Sequence, residues 1–249
     1  MNLDQRRPLA LDRTLEDDAV PVSPQTLPLT GKTLPDYLVA TYHWAYLSPL
    51  GLAVFDHPAM VSAILWGNSR RLQRAAFAEI QPGQTVLQPA CVYGDFSSRL
   101  ARHLGPSGRL DVIDVAPIQV ENCRRKLVDL FQARVGLADA AYPGQDVYDV
   151  VCCFFLLHEL PADYKHKVVN GLLARVAPGG KAMFVDYHRP ARFHPLRGVM
   201  NLVFRFLEPF AQDLCDHAIA DYAERPEAFA WSTETYFGGL YRKTVARRL

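Results

Sequence analysis

A chain of 249 residues, 49% of them hydrophobic, carries enough apolar material for a full core. Its 27 basic and 26 acidic residues leave a formal charge of +1, which excludes nucleic acid as an expected partner because no general attraction to a polyanion exists. Five scattered cysteines without a CxxC pair argue against a disulfide framework and fit buried thiols in a reducing cytoplasm.

Residues 1–35 lack an apolar signal core, carry Asp12, Glu16, Asp17 and Asp18, and become rich in Pro, Thr and Ser. They read as a loose N-terminal arm. From Asp36 to Ile80 the pattern is helical and broken at Pro49 and Pro58, so 36–80 is expected to form a helical lid. Residues 81–188 alternate short apolar strands with amphipathic stretches. The strands are Thr85–Pro89, Arg109–Asp114, Ala133–Leu137, Tyr148–Phe155 and Lys181–Asp186; the helices are Phe96–Leu104, Pro117–Phe131 and Asp163–Val176. Strands spaced by helix-length segments imply parallel βαβ units, and therefore an α/β, Rossmann-like, doubly wound sheet. No apolar run reaches the roughly 18 to 20 residues that cross a bilayer.

The expected single domain, 36–249, closes with a C-terminal flap over 189–249. Leu196, Val199, Met200, Val203, Phe206 and Leu207 recur at helical spacing. Arg189, Arg192, Arg197 and Arg205 fall between Tyr187 and Leu207 with no acid among them. Two readings stay open: a helix packed on the sheet, or an apolar flap with a basic fringe resting on lipid headgroups.

In a doubly wound sheet the ligand lies at the carboxyl ends of the strands. The first such end is VLQPACVYGD, Val86–Asp95. Turns of this kind commonly read VLDVGCGTG; here Gln88 stands for the acid, Ala90 and Val92 for two glycines, and only Gly94 remains. A dinucleotide needs those glycines for its pyrophosphate, whereas a nucleoside cofactor without phosphate tolerates their loss. Asp114, ending the second strand beside Val115, is placed to take the ribose hydroxyls. Asp139 and Ala140 are placed for the adenine, and Phe154 for the same pocket from the fourth strand. Without an acid at Gln88, an amine on such a cofactor loses a partner for its ammonium form, which favours the neutral amine.

These pieces, with the APGG turn at Ala177–Gly180, resemble class I adenosylmethionine-dependent methyltransferases over Pro82 to Asp186. A closer resemblance runs through TYHWAY (Thr41–Tyr46), ILWGN (Ile64–Asn68), VLQPACVYGDFS (Val86–Ser97), LLHELP (Leu156–Pro161) and VDYHRPARFHPLRG (Val185–Gly198). In these the chain is similar to the methyltransferase-like rhodoquinone biosynthesis proteins. The resemblance implies conversion of ubiquinone to rhodoquinone, with adenosylmethionine giving its amino nitrogen in place of a ring methoxy group, assisted by Mn2+. It also implies a lipid substrate and peripheral association with the cytoplasmic side of the inner membrane.

For the metal, Asp186 and His188 leave the fifth strand at i and i+2 and would share a face; His158 and Glu159 are the second choice. For catalysis, Tyr42 offers a polar tip to a quinone oxygen, His43 could accept a proton, and Tyr93 and His158 stand at the cradle. The rivals are an ordinary quinone or phenol methyltransferase and a binding protein that has lost its chemistry. Oligomeric state is not legible.

Overall fold

The computed structural model describes Pro35 and residues 49–249. Five strands run parallel: β1 (Thr85–Gln88), β2 (Arg109–Asp114), β3 (Ala133–Leu137), β4 (Tyr148–Phe154) and β5 (Val176–Tyr187). Their near-continuous apolar sequence follows from burial on both faces of a parallel sheet. In β4, Val150, Cys152 and Phe154 enter one core while Val151 and Cys153 enter the other. That is the strand's period of two. On the first side pack α3 (Ser69–Phe77), α4 (Phe96–Leu104) and α5 (Pro117–Lys126); on the second packs α6 (Ala162–Leu173). Ahead of α3 come two short helices, α1 (Pro49–Phe55) and α2 (Pro58–Ile64). Both begin at a proline, where a missing N–H removes nothing from the helix. The APGG segment does not precede β5 but bulges within it: Tyr148 pairs with Val176, and Val150 next pairs with Lys181.

The segment 189–249, expected to be a flap, divides in the structure. Its first part holds α7 (Arg197–Phe206) and α8 (Ala211–Asp216). Its end forms β6 (Phe229–Tyr236) and β7 (Tyr241–Arg248), and β7 pairs antiparallel with both β5 and β6. The full order is β3-β2-β1-β4-β5-β7-β6. Sequence reading missed these strands because β7, YRKTVARR, looks too charged for a sheet interior. Two of its cations, Arg242 and Lys243, are nevertheless buried and paired. Arg242 donates to the carbonyls of His217 and Leu214, each at 2.7 Å, and Lys243 Nζ lies 3.0 Å from Glu79.

Glu79 is the bolt between the N-terminal helices and this edge. It takes Lys181 from β5 at 2.9 Å, and Lys243 and Arg247 from β7 at 3.0 and 3.1 Å. Burial alone would raise its pKa, but Lys181 and Lys243 outweigh that and draw it from 4.5 down to about 2. A depressed carboxyl stabilises the fold at pH above its unfolded value, and that stabilisation is lost as pH falls from 4.5 toward 2. Acid unfolding of Glu79→Gln should therefore show a shallower dependence across that window than the parent chain. Identical slopes would remove Glu79 from this role.

Candidate active site

The parallel order reverses between β1 and β4, and there the carboxyl ends of the strands open a cavity. Its floor is the loop from β1 to α4. Gly94 holds φ +79°, which favours glycine, and a Cβ there would meet Val61 Cγ2 of α2 at a tight 3.2 Å. Its N–H donates to Asp56 Oδ1 at 2.8 Å. Asp56, just past α1, also receives Lys126 Nζ at 2.7 Å and Asn122 Nδ2 at 2.7 Å from α5. Lys126 in turn donates to the carbonyls of Gly94 at 3.1 Å and Val92 at 3.3 Å. A carboxylate and an ammonium thus grip the loop from opposite partners, donor to acceptor and acceptor to donor. Nothing local in the sequence signals Asp56, Asn122 or Lys126, because the contact spans 70 residues of chain.

Ala90 and Val92 line the cavity, and Val92 also packs on the core. Gln88 does not line it. The side chain is turned beneath the loop, donating from Nε2 to Ala90 O at 2.6 Å and Ser97 Oγ at 2.8 Å, while its Oε1 is buried without a partner. The residue replacing the usual acid is therefore a brace under the loop.

Asp114, at the tip of β2, accepts from Cys91 N and Ala116 N, each at 2.8 Å. Burial is the largest influence on it and outweighs those amides, raising its pKa from 3.8 to about 6. Val115 lines the cavity beside it. Asp139 and Ala140 lie in a narrow cleft that shares Ala90, Asp114, Val115 and Leu156 with the main cavity. Asp139 accepts from Ala141 N at 2.8 Å and from the Tyr164 hydroxyl of α6. Helix α6 reaches this loop because Gly171 has no Cβ: one would stand 2.5 Å from Ala141 O.

The facing wall is aromatic. Phe154, Phe155 and Tyr187 line it, with Phe155 and Tyr187 edge to face at 5.5 Å. Phe155 holds φ +52°, a conformation unfavourable for a bulky side chain that the surrounding packing must enforce. His158 follows, buried, with Nδ1 2.8 Å from Asp186 Oδ1 as an ion pair off the ring N–H axis. Its Nε2 lies 3.7 Å from Glu159 and 4.0 Å from Glu208. Burial disfavours the charged ring, but Asp186, Glu208 and Glu159 override it and raise its pKa from 6.5 to about 10. The imidazole is therefore cationic at neutral pH.

Asp186 was expected to ligate metal. Its oxygens instead accept from the amides of Leu157 at 2.9 Å, His158 at 3.3 Å and Tyr187 at 2.7 Å, besides holding the His158 ring. His188 lies 2.9 Å from Gly239 O through Nδ1 and faces a separate surface cleft with Arg189 and Arg192. The two do not form a ligand pair, and among the described residues no three His, Cys, Asp or Glu side chains group to hold a metal ion. The i, i+2 argument failed because β5 ends at Tyr187. Tyr93 lines the cavity as a neutral phenol, its pKa raised mainly by burial, with its oxygen accepting from Gln119 Nε2 at 3.1 Å. Tyr42 and His43 lie outside the described residues. Sequence reasoning also missed Tyr187 and Glu208 as cavity residues; only the fold brings them there.

Two outcomes follow for adenosylmethionine binding, measured by calorimetry. A carboxylate accepts ribose hydroxyls best when ionised, so if Asp114 takes that role affinity should rise with pH through about 6 and then level. Asp114→Asn should flatten that profile and weaken binding roughly 10- to 100-fold, the worth of about 1.5–3 kcal/mol for a charged hydrogen bond. Asp56→Asn should weaken binding about tenfold with an intact melting transition, because it loosens the loop without touching the ligand. Unchanged affinity in Asp56→Asn would mean that the clamp has no part in binding.

Comparison with known proteins agrees with this geometry. Residues 86–180 match the methyltransferase domain family. A demethylmenaquinone methyltransferase from Bacillus cytotoxicus is 24% identical over 157 residues, 61% of this chain and 65% of that protein. A ubiquinone/menaquinone biosynthesis C-methyltransferase from Ralstonia pickettii is 30% identical over 117 residues, 46% of this chain and 47% of its own. The chain thus spans less than two thirds of the length of either relative. An O-methyltransferase family protein from Burkholderia thailandensis superposes with a TM-score of 0.56 over 76% of this chain and 56% of its own, at 18% identity, a likeness of fold alone. Residues 86–180 are thus similar to the methyltransferase domain family, and the chain has an α/β Rossmann-like fold.

Proposed function

We propose that the chain is an adenosylmethionine-dependent transferase of quinone biosynthesis that converts ubiquinone to rhodoquinone. The observation that carries this reading is His158, set among the aromatic side chains of the cavity that Asp114 also lines, with its ring nitrogen 2.8 Å from the buried Asp186 carboxylate. Phe155 and Tyr187 offer faces and edges to a planar ring. The His158 imidazolium, oriented by Asp186, can donate a hydrogen bond to a quinone oxygen and make the ring more electrophilic. Asp114 and Asp139 fit the two ends of an adenosine in the shared trough. Adenosylmethionine as co-substrate would supply the amino nitrogen. A ring C–N bond forms as the ring C–O bond breaks, and the methoxy group leaves as methanol with a proton from the amine. Water then cleaves the bond from that nitrogen to the co-substrate's α-carbon, releasing the aminoquinone and a 2-hydroxy acid. No carboxylate at position 88 faces the cofactor's amine, which supports a neutral nucleophile.

The Mn2+ implied by the resemblance does not fit Asp186 and His188 as they stand, since the first is saturated by amides and the second faces elsewhere. No step is routed through it. Ubiquinone's apolar tail favours work at the cytoplasmic face of the inner membrane, as a peripheral protein.

The second reading is methyl transfer to a quinone or phenol, favoured by the names of the relatives. Adenosylmethionine labelled at the amino nitrogen, incubated with short-tailed ubiquinone, separates the two. Label in a product of lower mass supports amino transfer; a product heavier by one methyl and free of label overturns it. Under the first reading His158→Gln should lower turnover by about 10²–10⁴ with cofactor affinity unchanged. Activity should fall as pH rises through about 10, where the ring loses its proton. Asp186→Asn should move that limb to lower pH; an unmoved limb would detach His158 from the profile.

A further inference from the structure

Helix α7 has three faces. Met200 and Phe204 pack inward on the core. Arg197, Asn201 and Arg205, at i, i+4 and i+8, form one exposed flank. Val199, Leu202 and Phe206 form another, and they too are exposed, Phe206 by 66%. Phe193, 90% exposed, and Leu207 extend that apolar face at its two ends. A surface helix of a soluble domain normally turns polar residues outward; here the outermost face is apolar.

The arginine flank opens on a groove between α7 and α8, lined by Arg197, Asn201 and Arg205 on one side and Gln212 on the other, with Arg189 at its end. Arg189 is spent on Asp216. Among the described residues Arg192, Arg197 and Arg205 have no carboxylate within ion-pair distance. Arg192 and Arg205 lie instead over the rings of Phe193 and Phe206, at 5.6 and 5.4 Å.

We infer that α7 is a docking surface for an anionic bilayer, with lipid phosphodiester headgroups held in the α7–α8 groove and Phe193, Leu202 and Phe206 entering the acyl boundary. Guanidinium and amide donors suit phosphate oxygens, and a basic flank beside an apolar face is the layout of an interfacial helix. A second copy of the chain is disfavoured as occupant, because a symmetric contact would bring two unpaired arginine sets together. Continuity with the active site supports the assignment. Phe204, on the inner face of α7, lies 5.3 Å from the cavity residue Tyr187, and Glu208, just beyond the helix, lines the cavity itself. The docked bilayer would then be about one helix diameter, ~10 Å, from the ring pocket. The inference deepens the peripheral-membrane reading and rests on it only for purpose; its test involves neither quinone nor turnover.

The full chain is sedimented with vesicles of phosphatidylglycerol and phosphatidylcholine, and separately of phosphatidylcholine alone. Binding is expected to the anionic vesicles and to weaken with salt. Arg197→Gln with Arg205→Gln should weaken it roughly 30-fold, from ~1 kcal/mol per basic residue near a charged surface. Leu202→Asp with Phe206→Asp should abolish it, with melting temperature and adenosylmethionine affinity unchanged in both variants. No binding by the parent chain, equal binding to both vesicle types, binding unaffected by either pair, or loss of a dimer on ultracentrifugation of the variants would each overturn the assignment.

Discussion

The hydrogen bond from Gly94 N–H to Asp56 is the contact on which the site's shape depends. A glycine-rich turn usually holds itself close to its ligand by lacking side chains. This turn has kept only one such glycine, with Ala90 and Val92 in the other places, and it is held from outside. Asp56 binds the amide, Lys126 binds the carbonyls, and the two bind each other. Both side chains are mostly buried, at 16% and 20% exposure, so the pair is better shielded than a surface salt bridge, which contributes about 0–1 kcal/mol. Gln88 Nε2, donating to Ala90 O and Ser97 Oγ beneath the loop, adds to that outside support.

Across the cavity, Asp186 plays the corresponding part for the aromatic wall. It stands one residue before the end of β5 and gathers the amides that follow β4, so the ends of these two neighbouring strands are joined through one carboxylate. The same carboxylate keeps His158 charged in a buried place where an unpaired imidazole would be neutral. The strained Phe155 backbone lies between these two features and is fixed by ring contacts to Phe154, His158, Tyr187 and Tyr241. Charge, strain and aromatic surface are thus concentrated around Phe155 and His158 in the same cavity that Asp114 lines.

The C-terminal quarter serves both the sheet and the site. Strand β7 brings Tyr241 into the aromatic cluster and Lys243 to Glu79, tying the sheet edge to the helices in front of it. Helix α7 presses Phe204 against Tyr187 while leaving an equally apolar face outward. A helix apolar on two sides can serve the core and an outer partner at once, which a conventionally amphipathic helix cannot.

Periodicity by itself determined the parallel strands, the helix Phe96–Leu104 and the positions of Asp114 and Asp139 at strand tips, because burial on both faces imposes a local pattern of apolar residues. Only tertiary structure decided three other things. Strand β7 escaped notice because Arg242 and Lys243 are buried against partners far away in the chain, Glu79 above all, and a charged residue carries no sign of whether it will be paired. Asp186 passed for a metal ligand because a carboxylate looks the same in sequence whether its lone pairs are free or taken by amides. Asp56 went unseen because a clamp is a relation between residues brought together by folding, and neither partner bears a local mark of it.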